Sequence, residues 1–358
     1  MDPLAIVRRR LHEQRLTGKP LATPAQAVAW SGAVQAQEYA EAQWSLAMRV
    51  RDCSMADVEA ACVRGEILRT HVMRPTWHFV AAADLRWLLR LTGPRVLTKS
   101  AGRHRELGLD GDTLARAADT LGRTLADGEP RTRDELAAVL AATGIQATGP
   151  RLAHAVMHAE LEGVLCSGAR RGRQHTYLAL DGRAPAAPGR SREDDVAELV
   201  LRYFTSHGPA TFRDFAWWSG LTIADARTGV AAAGDRLAAE EAQDGTLWIA
   251  AAGSIAGPPR RSSGALLLGT FDETLVAYRD LRFVRADRQP SDALLPRPIV
   301  IDGRAVGRWT RRAARGKVTI EAALFTPPSP RQSAALYRAV DRFSAFVTVP
   351  ATLELRAS

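Results

Sequence analysis

Two glutamines two residues apart, Gln35 and Gln37 in the run Val34-Gln-Ala-Gln37-Glu38-Tyr39, are the side chains whose spacing most plainly admits chemistry. On a continuing α-helix, residues two apart point about 200° away from each other. On an extended chain alternate side chains share a side, so these two amides converge only where a helix has already ended. Ser31-Gly32 supplies such a stop just upstream. An amide oxygen can orient a water molecule and present the negative end of its dipole, yet it is a poor general base. Such a pair suits hydrolysis of a bond that already breaks readily. Spacing alone is met equally well by two ordinary polar side chains.

Competing chemistries find little support. The chain has no P-loop, no Rossmann fingerprint, no HExxH and no Gly-x-Ser-x-Gly. His154 and His158 stand at i, i+4 without a third ligand at helical spacing, and Cys53, Cys62 and Cys166 are too scattered for zinc or a disulfide framework. No metal, nucleotide cofactor or other cofactor is therefore expected. His71 and His78 flank Met73-Arg74-Pro75-Thr76-Trp77. Arg74 and His78 are candidate nucleic-acid contacts there, a hydrogen-bonded core histidine being the competing reading of His78.

The elements that must position these residues repeat. Between Asp112 and Leu180 the pattern is helix, capped helix at Thr132-Arg-Asp-Glu135, helix from Gly149-Pro150, then two short strands around a basic loop 168–174. Three helices and a hairpin describe a winged helix. The order recurs after Arg192, with caps at Thr211 and Thr222 and a hairpin turn at Asp244-Gly245. It is legible less regularly in the first hundred residues, with helices near Leu4–Gln14, Thr23–Trp30 and Met55–Arg64 and strands at Ile67–Thr70 and Trp77–Val80. After Gly264 apolar runs take over (Ala265–Leu268, Ile299–Ile301, Val318–Ala323, Ala345–Leu355), with a turn at Asp302-Gly303 and a helix near Arg331–Phe343. The expected fold class is α+β: three tandem winged-helix modules followed by a small β-rich domain. The expected boundaries are 1–110, 111–183, 190–256 and 260–358, with linkers at 184–189 and Gly257-Pro-Pro259.

Charge points to a polyanion. The net charge is +9, and from Arg260 onward 17 Arg and Lys face 9 Asp and Glu, so nearly all the excess lies in the last quarter. Clustered cations gain from counterion release on DNA. Between Arg304 and Lys317 stand Arg308, Trp309, Arg311, Arg312, Arg315 and Lys317 with no acidic residue, a basic hairpin with an aromatic suited to a groove or an exposed base. A solvated edge strand is the plainer reading. No run approaches eighteen apolar residues, and the N-terminus lacks a signal-peptide core, so a soluble, cytoplasmic, nucleoid-associated monomer is expected.

Val34-Gln-Ala-Gln37-Glu38 resembles the Gln-Φ-Gln motif of AlkZ-type winged-helix DNA glycosylases. Further similar stretches are Arg74-Pro-Thr-Trp-His78, Ala159-Glu-Leu-Glu-Gly163, Gly208-Pro-Ala-Thr-Phe-Arg-Asp214 with Trp217-Trp218-Ser-Gly-Leu221, Gly269-Thr-Phe-Asp-Glu273 and Val300-Ile-Asp-Gly303. Trp217-Trp218 and Phe271-Asp272 are expected to be packing residues. The resemblance implies Gln35 and Gln37 as catalytic groups and excision of bulky N7-alkylguanines from double-stranded DNA, interstrand crosslinks included. Gln at both positions resembles the branch tied to antibiotic self-resistance, whereas Gln-Φ-Asp relatives are broader base-excision enzymes. Only Lys19, Lys99 and Lys317 are lysines, so cleavage without lyase activity is expected. The rival readings are a winged-helix transcription regulator and a protein that sequesters the alkylating compound itself. The first needs base-reading third helices, but 149–163 and 222–234 hold only Arg151 and Arg227 as cations.

Overall fold

The computed structural model describes residues 2–186, 189–242, 246–253, 264–280 and 296–357. Its first helix, α1 (Pro3–Glu13), is capped by the Asp2 side chain and buries Ile6, Val7, Arg10 and Leu11. A helix–strand–helix–helix–hairpin order follows: α2 (Pro24–Ser31), β1 (Val34–Gln35), α3 (Tyr39–Ala47), α4 (Met55–Val63), β2 (Ile67–Val72) and β3 (Arg74–Ala81). These strands form a sheet in the order β1-β3-β2. A 25-residue helix, α5 (Ala82–Glu106), then runs on, about 37 Å long at the usual rise.

The same order returns in α6 (Gly111–Leu125), β4 (Arg131–Thr132), α7 (Arg133–Ala142), α8 (Gly149–Leu161), β5 (Leu165–Ser167) and β6 (Thr176–Ala179), with the sheet β4-β6-β5. The Thr132–Glu135 capping box forms as its spacing predicts. It returns again in α9 (Arg192–His207), α10 (Phe212–Ser219), α11 (Ile223–Ala233), β7 (Leu237–Glu241) and β8 (Leu247–Ala251). Here Ala210, bridged to Ile249, stands where β1 and β4 stand in the other two. The turn expected at Asp244-Gly245 and the linker Gly257-Pro-Pro259 lie outside the described residues.

The C-terminal part comprises β9 (Ala265–Leu267), α12 (Glu273–Val276), β10 (Pro298–Ile301), β11 (Arg304–Ala314), β12 (Lys317–Leu324), α13 (Pro330–Val347) and β13 (Ala351–Ala357). Its sheet runs β13-β12-β11-β10-β9, parallel only between β12 and β13. The turn at Asp302-Gly303 has both residues at positive φ, as a two-residue hairpin requires. The apolar run 345–355 comprises the end of α13 and the start of β13, divided where Thr348 turns left-handed ahead of Pro350.

Two cores bind these parts together. Leu68 and Val80 of the first hairpin, Leu85 and Leu88 of α5, Met157 of α8, Val200 of α9 and Trp218 of α10 share one cluster. Val7 and Leu11 of α1 share a second cluster with Trp44 and Met48 of the first hundred residues and with Leu267, Val300 and Phe343 of the C-terminal sheet and α13. No described helix is long and apolar enough to cross a membrane.

Candidate active site and nucleic-acid interface

The chain does become extended before the two glutamines. Gly32 ends α2 at φ 77°, a left-handed conformation glycine adopts without strain. Val34 then pairs with Phe79 and Gln35 with His78, and the Ala36 amide donates to the Trp77 carbonyl at 2.7 Å. β1 ends at Gln35, Ala36 is buried, and the chain bends at Gln37. The surroundings of the two glutamines differ. Gln35 is 8% exposed, whereas Gln37 is exposed and has no hydrogen-bond partner among the described residues.

Gln35 is held at two points. Its backbone N–H donates to Glu273 Oε1 at 2.8 Å, and its Oε1 accepts from Arg74 Nη2 at 3.0 Å. A guanidinium only donates, so the carbonyl oxygen of Gln35 must face Arg74 and its NH2 must point elsewhere. Arg74, expected to meet nucleic acid, thus turns inward onto Gln35, with Nη1 directed at the Val276 carbonyl. Burial pulls its pKa down and Glu273 pushes it up. Glu273 is fully buried and uses its second oxygen to accept from the Trp218 indole at 2.9 Å. It belongs to one of the quoted stretches, yet nothing in its spacing marked it as the residue that fixes Gln35.

His78 does not reach DNA. It lies on β3, the middle strand of its sheet, and is fully buried. Its Nδ1 lies 2.9 Å from the Thr76 carbonyl, which can only accept, so Nδ1 carries the proton. Burial, with Arg74 nearby, holds its pKa well below the usual imidazole range, so the ring is neutral. Gln35, His78 and Thr70 are cross-strand neighbours in one row. His78 Nε2 and Thr70 Oγ1 are buried in that row without partners among the described residues.

The β11–β12 hairpin carries cations, but the pleat divides them. Trp309 is 2% exposed, packs edge-on to Phe343 at 5.6 Å and donates its indole N–H to Leu268 O at 2.8 Å. It is an anchor of the sheet and not a stacking residue. Arg311, two residues on, shares that inner side, with its guanidinium 5.7 Å from the Phe343 ring. Arg312, on the outer face, pairs with Glu321 and with Glu354 at 3.1 Å. The acidic partners missing from the segment itself therefore arrive from β12 and β13. Arg308, Arg315 and Lys317 are exposed and have no ion-pair partner among the described residues.

The remaining cations of the third helices are engaged. Arg151 bonds the carbonyls of Leu107, Gly108 and Gln146, and Arg227 lies 5.8 Å from the Phe212 ring. His154 and His158 pack on His104 of α5, with ring centroids 5.2 and 6.3 Å away. The two adjacent tryptophans of α10 separate: Trp218 is buried as expected, but Trp217 is 52% exposed. Phe271-Asp272 conforms better to the packing expectation, since Asp272 is fully buried in an ion pair with Arg49 at 2.8 Å.

Comparison with known proteins fits this arrangement. The solved structure of Streptomyces sahachiroi DNA glycosylase AlkZ superposes with a TM-score of 0.79, covering 99% of this chain and 100% of that one at 20% identity. No curated protein matches the sequence. The family model described as DNA glycosylase AlkZ-like matches residues 28–346, which makes the protein a DNA glycosylase, an enzyme that hydrolyses N-glycosidic bonds. The chain belongs to the AlkZ-like DNA glycosylase family.

Proposed function

We propose that the chain excises bulky N7-alkylguanines from double-stranded DNA, with Gln37 orienting the attacking water and Gln35 supporting the sugar or that water. The observation that carries this reading is the asymmetry of the pair: Gln37 is exposed and unbonded among the described residues, whereas the Gln35 oxygen is taken by Arg74. N7 alkylation leaves the purine cationic, so it departs readily and an oxocarbenium-like sugar forms. An amide dipole suffices to position water at C1′ and to favour that cation. Arg74 adds positive charge beside Gln35, which disfavours Gln35 as the group nearest the cation and again favours Gln37.

A crosslinked base cannot rotate fully out of the helix, and an exposed Gln37 needs no deep pocket, so the reading extends to unhooking interstrand crosslinks. We assign the chain to a cytoplasmic, nucleoid-associated monomer in repair or in self-resistance to a DNA-alkylating natural product. We divide it into three winged-helix modules, 1–110, 111–183 and 190–256, and a basic β-rich domain, 260–358. A transcription regulator would read bases through its third helices, and Arg151 and Arg227 are occupied elsewhere.

Incubation with a duplex carrying one defined N7-alkylguanine, followed by mass analysis of released bases, tests the activity. The expected product is the free alkylated base and an abasic site, with no protein trapped on DNA by borohydride. Intact adduct after prolonged incubation would overturn the assignment. The hairpin is tested separately. Removing Arg315 and Lys317 together is expected to make the dependence of log K on log salt shallower by about 2, measured on undamaged duplex. An unchanged slope would remove the hairpin from the interface.

A further inference from the structure

We propose that the outer face of α10 is a strand-binding strip, in which Trp217 stacks on the nucleobase flanking the excised one and Arg213 and Arg279 take the neighbouring phosphates. The proposal rests on Gln35 and Gln37 being the excision centre. Trp217 is the exposed member of its pair, and its orientation is fixed: the indole N–H donates to the Val276 carbonyl at 3.2 Å. The same carbonyl is approached by Arg74 Nη1 at 3.4 Å, and Arg74 Nη2 holds Gln35. An open aromatic face therefore stands one carbonyl and one guanidinium away from the glutamine pair.

Two cations accompany it. Arg213 precedes Trp217 by four residues on α10, so the two share one face of the helix, and Arg213 is exposed. The Arg279 backbone N–H donates to Asp214 Oδ1 at 3.0 Å, which brings Arg279 to the first turn of α10, and its side chain is exposed. Neither guanidinium has a partner among the described residues. The strip is also rigidly placed. Gly220, at φ 72° just past α10, lies so close to the first hairpin that a Cβ there would come within 2.4 Å of the Met73 carbonyl. Arg95 Nε donates to the Gly220 carbonyl at 2.9 Å. An indole that cannot swing away and two unpaired guanidiniums make a surface for stacked bases and phosphates, because every base has a π-face and every linkage a charge.

The test measures affinity of the full chain for two duplexes, one undamaged and one with a single tetrahydrofuran abasic site. Trp217→Ala is expected to bind the abasic duplex about tenfold or more weakly. Trp217→Phe should return to within about threefold, since a phenyl ring still stacks. Arg213→Ala/Arg279→Ala should weaken both duplexes, most strongly at low salt. An affinity of Trp217→Ala within twofold of the parent, or an equal loss on both duplexes, would overturn the stacking assignment. Binding to an abasic site requires no excision. A failure of the glutamine reading would therefore appear as near-normal base release by Gln35→Ala/Gln37→Ala, whereas a failure of this strip would appear as unchanged binding by Trp217→Ala.

Discussion

Gln35→Ala/Gln37→Ala is expected to lower excision of an N7-alkylguanine by at least about a thousandfold, while duplex affinity stays within about threefold. The magnitude follows from the task given to the pair. Each preorganised dipole aimed at developing charge contributes on the order of a hundredfold or more, and this site has no conventional general base to share the work. The two single variants should differ. Gln37→Ala removes an exposed, unbonded side chain, so its loss of rate should come with no change in thermal stability. Gln35→Ala leaves the Arg74 guanidinium without one of its acceptors in a largely buried setting, so rate and stability should fall together. Single-turnover base release with parallel melting curves distinguishes them. Near-normal excision by the double variant would show that the amides are bystanders.

Asp272→Asn is expected to cost about 3–5 kcal/mol of folding stability. The Arg49–Asp272 pair is bidentate at 2.8 and 3.0 Å, and both side chains are buried. Arg49 also donates to the Ser45 carbonyl and to Gln14 Oε1, so one guanidinium ties the end of α3 to the chain just after α1 and to α12. Asparagine leaves that charge buried without its counterion. Burial alone would raise the Asp272 pKa, but the Arg49 charge and the bonds from Arg49, Ser45 and Thr274 override it and bring it to about 2 from an ordinary 3.8. A depressed folded pKa means that the stabilisation is complete above about pH 4 and is lost as pH falls toward 2. Denaturant melts of parent and variant should therefore converge in that window. A constant gap down to pH 2 would contradict the assignment of the acid-labile stability to this pair.

The residues that announced themselves in the sequence did so through local chemistry. Thr132 and Glu135 formed their capping box, Asp302-Gly303 turned its hairpin, and Ser31-Gly32 stopped α2 so that the chain is extended at Val34–Gln35. The illegible features are those set by partners far away in the chain. α3 was missed because Glu41 and Gln43 are buried along with Trp44 and Leu46, which leaves no polar face to give the helical period. Trp309 sits among arginines in sequence, yet the pleat sends it inward beside Phe343. Trp217 and Trp218 are indistinguishable by type, and only their roughly 100° separation on α10 makes one a core residue and the other a surface. Glu273 could be recognised only once β1 was beside α12.

The placement of α1 has a consequence for how the chain is made. Arg8 meets Asp302 across 294 residues, and Arg10 bonds the Pro209 carbonyl across 199. At ordinary rates of translation, about 5–20 residues per second, α1 waits roughly 15–60 s after its own synthesis for its C-terminal partners. During that interval Val7 and Leu11 can meet only part of their core, Leu16 with Trp44, Ala47 and Met48, while the intervening modules can already pack among themselves. A segment made well before the C-terminal sheet is thus enclosed only when that sheet arrives. Any slowing of synthesis late in the message prolongs the exposure of its apolar stripe to chaperones, proteases and other nascent chains.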